Sequence, residues 1–307
     1  MRYDDSKFDF MKHRRKFYAF SIIITLLGIL TLAVFGLNRG VDFKAGTTLD
    51  ISTGGKAITQ EQALEITKAA GFEPAGNPII GGDAGDRVTM RFDHVLNAEE
   101  VGKVEAGFKA AFGEGVSKEE NTVDTELANE MAVKAIYAVL VASLGIIVYV
   151  SIRFEWRFAV AAVVALLHDA FIVISLFSIL RLEVNLPFVA AILTIVGYSI
   201  NDTIVIFDRI RENLRFAKAK TYEDLARVVN QSIWQTLTRS INTVLTVLIA
   251  AVLLCVMGSE AIRLFSLAMI MGLVAGMYSS IIIASPLWLI LKTKSLNSKP
   301  KAAAQNG

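Results

Sequence analysis

Runs of apolar residues set the plan of this chain. Six of them, Ala19–Leu37, Ala135–Ile152, Phe158–Leu180, Leu186–Phe207, Ser240–Ser259 and Leu264–Leu291, approach or exceed membrane-spanning length. Crossing ~30 Å of hydrocarbon takes about 20 helical residues. The sixth is long enough to tilt or to end in an interfacial segment. The first outlasts a signal-peptide core and no small-residue cleavage pattern follows it, so it reads as a retained anchor. Charged or titratable side chains, tyrosine aside, break these runs at only two places: His168 and Asp169 in the third, and Asp202, beside Asn201, in the fourth.

Between the first two runs the pattern changes. Residues 38–134 predict a small α+β domain. Val41–Ser52 alternates as a strand, with Thr47, Leu49 and Ile51 on one side and Thr48 and Asp50 on the other. Thr59 and Gln62 form a capping box for a helix that Gly71 ends, and Asn97 and Glu100 repeat the device for a helix through Phe112, stopped by Gly113 and Gly115. A glycine-rich turn, Gly81–Gly85, precedes a strand over Arg87–Phe92, with Val88, Met90 and Phe92 on one side. A third strand is placed near Asn121–Thr125. The order β-α-β-α-β suggests a sheet with helices on one face, of ferredoxin-like type. The domain carries no nucleophile–base pair, phosphate loop or metal-ligand cluster, and His94 reads as a solvated loop residue. It reads as a module that touches another protein.

Composition agrees with the pattern. The 307 residues are 54% hydrophobic and 20% charged, too apolar for an ordinary soluble domain. The fold class is therefore a polytopic α-helical membrane protein, with six transmembrane helices and one small α+β external domain between the first and second. The single cysteine, Cys255, excludes an intrachain disulfide and a cysteine metal site. No enzymatic activity, cofactor, metal or nucleic-acid partner is expected.

Charge asymmetry sets the orientation. Lys and Arg crowd the N-terminal stretch 1–18 (Arg2, Lys7, Lys12, Arg14, Arg15, Lys16), the second–third link (Arg153, Arg157), the loop 208–239 (Arg209, Arg211, Arg215, Lys218, Lys220, Arg227, Arg239) and the tail 292–307 (Lys292, Lys294, Lys299, Lys301). The opposite short loops hold Arg181 and Arg263 alone. By the positive-inside rule both termini face the cytoplasm and residues 38–134 lie outside.

The candidate chemistry lies in the spans. A carboxylate at mid-bilayer costs ~2.5–3.5 kcal/mol on insertion scales, and such groups mark ion or proton pathways. Thr194, Tyr198, Asn201, Asp202, Val205 and Asp208 recur at helical spacing, so hydroxyl, phenol, amide and carboxylate share one face of the fourth span. For Thr194, Tyr198 and Asn201 the competing role is interhelical hydrogen bonding; for Asp208, a surface salt bridge among Arg209 and Arg211. His168 reads either as a proton relay or as a strut for Asp169. Arg239, Asn242, Thr243 and Thr246 make a polar face on the fifth span, with Arg239 the expected positive partner of Asp202. Gly272-x-x-x-Gly276-x-x-x-Ser280 reads as a close-packing seam without chemistry.

At this point the residues resemble one family. Gly197-Tyr198-Ser199-Ile200-Asn201-Asp202-Thr203-Ile204-Val205-Ile206-Phe207-Asp208-Arg209-Ile210-Arg211-Glu212-Asn213 is similar to the fourth-span signature of SecF, a subunit of the bacterial SecDF protein-export complex in the resistance–nodulation–division superfamily. Arg153–Arg157, Leu166–Asp169 and Gln235–Arg239 extend the likeness, which runs from about residue 10 to 291. The resemblance implies a multi-pass protein of the bacterial inner membrane that pairs 1:1 with SecD beside the Sec translocon. There it would use a cation gradient to assist late steps of preprotein export. It also implies that the coupling carboxylate falls on Asp202 and the functional arginine on Arg239. The chain departs from the family in two places. Where the family has Gly-Ile-Asp-Phe-x-Gly-Gly, it reads Gly40-Val41-Asp42-Phe43-Lys44-Ala45-Gly46; before the second span it has Val123–Leu127 in place of a Gly-Pro pair. Two other readings are an exporter subunit for small molecules or lipids in the same superfamily, for which the external domain is small, and an assembly scaffold without ion coupling.

Overall fold

The computed structural model describes residues 8–298 apart from 83, 218 and 220. Of the residues read above, Arg2, Lys7, Asp83, Lys218, Lys220, Lys299 and Lys301 lie outside the described residues.

The chain opens with α1 (Phe10–Phe35), whose N-cap Asp9 accepts a hydrogen bond from the Lys12 amide. A two-residue strand β1 (Asn38–Arg39) and a single helical turn α2 (Val41–Lys44) follow. The α+β domain then runs β2 (Gly46–Ser52), α3 (Gln60–Ala69), β3 (Ile79–Gly81), β4 (Arg87–Phe92), α4 (Ala98–Phe112) and β5 (Ser117–Val123). Next come α5 (Thr125–Arg153), α6 (Trp156–Ile179), the short strand β6 (Glu183–Val184), α7 (Leu186–Phe216) and α8 (Tyr222–Met257). The last span begins as α9 (Glu260–Ser279), passes through a π turn (Ser280–Ala284) and ends as α10 (Ser285–Ser298).

Six helical segments are long and apolar enough to cross a membrane, among them Ile262–Ser295 across the π turn. They coincide with the six apolar runs but overshoot them. α1 begins nine residues before Ala19, and α8 begins well before Ser240. Hydropathy marks hydrocarbon, whereas helices end at caps. Thr221 and Asp224 form a reciprocal capping box that starts α8 in polar sequence.

The four-stranded sheet has the order β3-β4-β2-β5, antiparallel throughout. Leu49, Ile51, Val88, Met90 and Phe92 point to one face and pack on α3 and α4 through Ala63, Val101, Val104 and Phe108. Both capping boxes, Thr59/Gln62 and Asn97/Glu100, form. Three expectations need correction. The strand expected from Val41 starts only at Gly46, because Val41–Lys44 coil into a turn capped at Gly40. The strand β3 was not expected at all, so the domain order is β-α-β-β-α-β. The last strand is longer and earlier than Asn121–Thr125, since Asp124 leaves the sheet to cap α5 by accepting from the Leu127 amide at 2.8 Å.

In the helical part, α6, α7 and the sixth span are buried over about half their apolar length, and α1, α5 and α8 over about a tenth. Phe158, stacked on Trp288 at 4.7 Å, and Phe207 lie at the centre of the core far from the domain. Phe177 and Phe188 centre the core next to it.

Candidate functional site

The buried polar groups sit where α6, α7 and the sixth span meet. Gly272 and Gly276 let this approach happen: a Cβ at Gly272 would stand 2.3 Å from Ile195, and one at Gly276 would stand 3.1 Å from the Ser199 Cβ. The expected seam is therefore present, against α7. The same sixth span also supplies hydroxyls to the buried polar network. Asp169 on α6 is completely buried. Its Oδ2 accepts from Ser199 Oγ on α7 at 2.6 Å and from Ser279 Oγ on α9 at 2.7 Å. Its Oδ1 lies 3.3 Å from His168 Nδ1. A dry carboxylate is tolerable when its lone pairs meet donors like these. Asp169 thus ties three helices at one point.

His168 extends the network outward. Its ring stacks on Tyr278 at 6.3 Å, and the Tyr278 hydroxyl is 3.1 Å from Ser21 Oγ on α1. His168 Nε2 is buried without a partner among the described residues.

Asp202 lies three residues beyond Ser199 on α7 and is in a different state. Its Oδ1 accepts a hydrogen bond from Ser240 on α8. Its Oδ2 is buried and has no hydrogen-bond partner among the described residues. Ser280 lies near this carboxylate, and its hydroxyl is 2.8 Å from Thr203 Oγ1, where either oxygen can donate. Consecutive serines of the sixth span therefore serve two sites: Ser279 holds Asp169 and Ser280 holds Thr203. The π turn begins at Ser280, and Ser285 Oγ donates to its carbonyl at 2.9 Å. Such turns recur at functional sites because they re-aim side chains within a helix. A cavity of about 20 Å³, of the order of one water molecule, borders Asp202, Tyr198, Asn201, Thr243 and Gly276.

The other residues expected at the site do not close around Asp202. Tyr198 is 38% exposed, and Asn201 is exposed too. Thr194 is half-buried and donates back to the Ala190 carbonyl at 2.8 Å. Arg239, Asn242, Thr243 and Thr246 are exposed on α8. Arg239 forms no salt bridge among the described residues; its chain neighbour Ser240 makes the direct contact with Asp202. Asp208 pairs with Arg211 at 2.8 Å and Arg153 at 3.5 Å, the surface role expected of it. The serines 199, 240 and 279 are the residues that sequence reasoning missed, and Ser280 enters it only as part of the packing seam. Two of them flank flagged positions: Ser240 follows Arg239, and Ser199 lies one turn before Asp202.

A second constellation joins α7 to the α+β domain. Asp42, 7% exposed, accepts from the Leu186 amide at 2.9 Å through Oδ2 and from Asn121 Nδ2 at 3.3 Å through Oδ1. A carboxylate at a helix start satisfies a free amide and meets the positive end of the dipole. β1 pairs in parallel with β6, and the Gly40 amide donates to the Val184 carbonyl at 2.9 Å. Arg91 on β4 bonds Glu183 at 2.9 Å. Burial raises the Glu183 pKa above its ordinary 4.5; Arg91 opposes the rise and Asp42 adds to it. Burial also raises Asp50, which faces the same cleft of about 650 Å³ between sheet and loop.

The chain was then compared with known proteins. A family model described as protein export membrane protein SecD/SecF, C-terminal, matches residues 103–294, and one described as SecD/SecF GG motif matches residues 31–56. The chain is 45% identical over 293 residues to protein translocase subunit SecF of Alicyclobacillus acidocaldarius, covering 94% of each. It is 39% identical to the SecF of Rhodothermus marinus, covering 99% of each. Against protein translocase subunit SecDF of Bacillus subtilis it is 45% identical and spans 39% of that longer chain. It is also similar to the crystal structure of SecDF, a translocon-associated membrane protein, from Thermus thermophilus, with a TM-score of 0.81 and 34% identity, covering 95% of this chain and 40% of that one. With its multi-pass helical fold, its buried aspartates and these matches, the chain belongs to the SecF family of protein-export membrane proteins.

Proposed function

We propose that this chain is the SecF half of a protein-export accessory motor, coupling a cation gradient to movement of its α+β domain. One observation carries the reading. Asp202 sits mid-helix with one oxygen held by Ser240 and the other buried without a partner among the described residues, beside a polar face that those residues leave open. Asp169, in contrast, is saturated with donors and serves as the fixed point. A carboxylate left under-satisfied in a membrane is suited to take up and release a cation or proton. Arg239, exposed beside it, supplies a positive charge that swings toward the carboxylate when it is ionised and away when it is neutralised.

The route outward is α7 itself. Asp202 is 16 residues from Leu186, about 24 Å along the helix, and the Leu186 amide is held by Asp42 at the foot of the domain. A shift of α7 therefore moves the domain without a flexible joint between them. One elementary charge crossing 100 mV releases ~2.3 kcal/mol, enough to change a two-state ratio by a factor of roughly 50. In this reading the partner is a SecD-like chain in 1:1 ratio. The assembly works beside the Sec translocon on emerging preprotein. Both termini face the cytoplasm of a bacterial cell whose inner membrane holds the complex. The chain acts as a coupling subunit and not as an enzyme.

The test is Asp202→Asn in the assembled complex. Size and hydrogen bonding are kept, so insertion and assembly should survive. Export from inverted vesicles should lose its response to the proton or sodium gradient. Export stimulated equally by variant and native protein would sink the proposal.

A further inference from the structure

The end of the bundle far from the α+β domain holds a third constellation, which ion coupling does not use. There α1 begins against α8. Asn230, 3% exposed, accepts from the Phe10 and Met11 amides at 3.0 and 3.3 Å and donates to Asp9 Oδ1 at 2.6 Å. Trp234 Nε1 donates to the Phe8 carbonyl at 3.0 Å. The first turn of α1 is thus bolted to α8, across more than 200 residues of sequence. Its free amides are already satisfied, so the dipole end offers no anion site of its own.

The side chains do. A cavity of about 850 Å³ opens between the two helices, and Lys12, Arg14, Arg15 and Arg227 line it against the acids Asp9 and Glu223. Asp9 is occupied as the N-cap. None of the four cations forms a salt bridge with a described residue, although carboxylates elsewhere on this end are paired. Arg14 is partly buried and fixed over the Tyr222 ring at 4.8 Å, which orients its guanidinium.

We infer that this cavity binds the phosphate headgroup of an anionic phospholipid. Depth supports it. α1 is 26 residues, ~39 Å, against ~30 Å of hydrocarbon, so its first turns stand in the headgroup layer. The wall continues upward as an apolar face: Phe20, Ile22, Ile23, Leu26 and Leu27 are all more than half exposed, a track for acyl chains beside the headgroup. Arginine forks match phosphate oxygens two at a time, and basic pockets between spanning helices take such headgroups. A free phosphate would use the same cations but not the apolar track.

The test is retention of short-chain phosphatidylglycerol by the full-length chain in detergent, read by native mass spectrometry. Wild-type protein should hold phosphatidylglycerol through dilution that strips phosphatidylcholine, and inorganic phosphate should fail to displace it. Joint Arg14→Gln, Arg15→Gln and Arg227→Gln should weaken retention roughly tenfold or more. The charge-matched set Lys16→Gln, Arg209→Gln and Arg215→Gln should leave it unchanged. Equal weakening by both sets, or equal binding of the two lipids by wild-type protein, would overturn the inference. Displacement by inorganic phosphate at the lipid's own concentration would assign the cavity to a free anion instead. The two wild-type arms decide even if the triple variant does not fold.

Discussion

At the scale of single residues the buried carboxylates differ in their partners: three neighbours bond Asp169, and Ser240 bonds Asp202. Asp169 is bonded by three neighbours, so its loss or theirs should read out as stability. Interhelical hydrogen bonds in membranes are worth ~0.6 kcal/mol on average and ~1.7 at most. Ser199→Ala and Ser279→Ala should each destabilise by about that amount in mixed-micelle unfolding, and the double variant by less than the sum, since they share Oδ2. Additive losses would show that the two hydroxyls act independently. Ala45 makes a different prediction. It stands at φ 68° and ψ 152°, a region open almost only to glycine, where the family pattern has glycine. Such a backbone costs of order 1–3 kcal/mol. Ala45→Gly should therefore raise the domain's resistance to denaturant by roughly 1 kcal/mol after the glycine's unfolded-state entropy is deducted. The charged members of the site were visible in the sequence because an ionisable group in an apolar run is conspicuous. Its serines were not, because a hydroxyl inside a span costs little and is common there. Nothing in the local pattern separates Ser240, which holds Asp202, from Ser285, which closes a π turn.

Elements show the same division. The central strands β2 and β4 alternate buried and half-buried residues, and their core-facing sets were readable. The edge strands were not: β5 exposes five polar residues in a row, and β3 is three residues long. Edges carry polar side chains because one flank has no pairing partner, and that erases the two-residue period. The π turn likewise has no sequence signature. Between elements, the joint of β4 with β6 is set by the Arg91–Glu183 pair. Because the folded Glu183 pKa lies above the ordinary 4.5, the folded protein binds more proton there than the unfolded chain between the two values. The contribution of Glu183 burial is thus full below that ordinary value and is lost as pH rises through the raised one, with the Arg91 pair offsetting part of the loss once Glu183 ionises. Amide exchange at residues 183–186, corrected for intrinsic rates, should be slower near pH 4.5 than near pH 7, and Glu183→Gln should flatten the difference. A steeper pH dependence in the variant would contradict the assignment.

At the scale of the molecule, α7 and α8 leave one polar face open, from Thr194 through Asn201 to Thr246. Lipid offers such groups no partner, so a second protein surface must cover it. Cysteines at Thr194 or Tyr198 should crosslink to a SecD-like chain, and cysteines at Val160 or Leu167 on α6, which face outward elsewhere, should not. Recovery of crosslinks only between copies of this chain would point to a homodimer. That pairing could not be read from the polar stripe alone, because a six-helix bundle can equally fold such a stripe inward; the packed structure leaves it outside. The clasp between Asp42 and Leu186 has a consequence for how the molecule is made. The two residues are 144 positions apart. Ribosomes add about 5–20 residues per second, so the carboxylate emerges ~7–30 s before its amide does. The sheet, complete at Val123, has all its strands long before then. During every synthesis the domain is finished and unanchored while the helix it caps has yet to be translated.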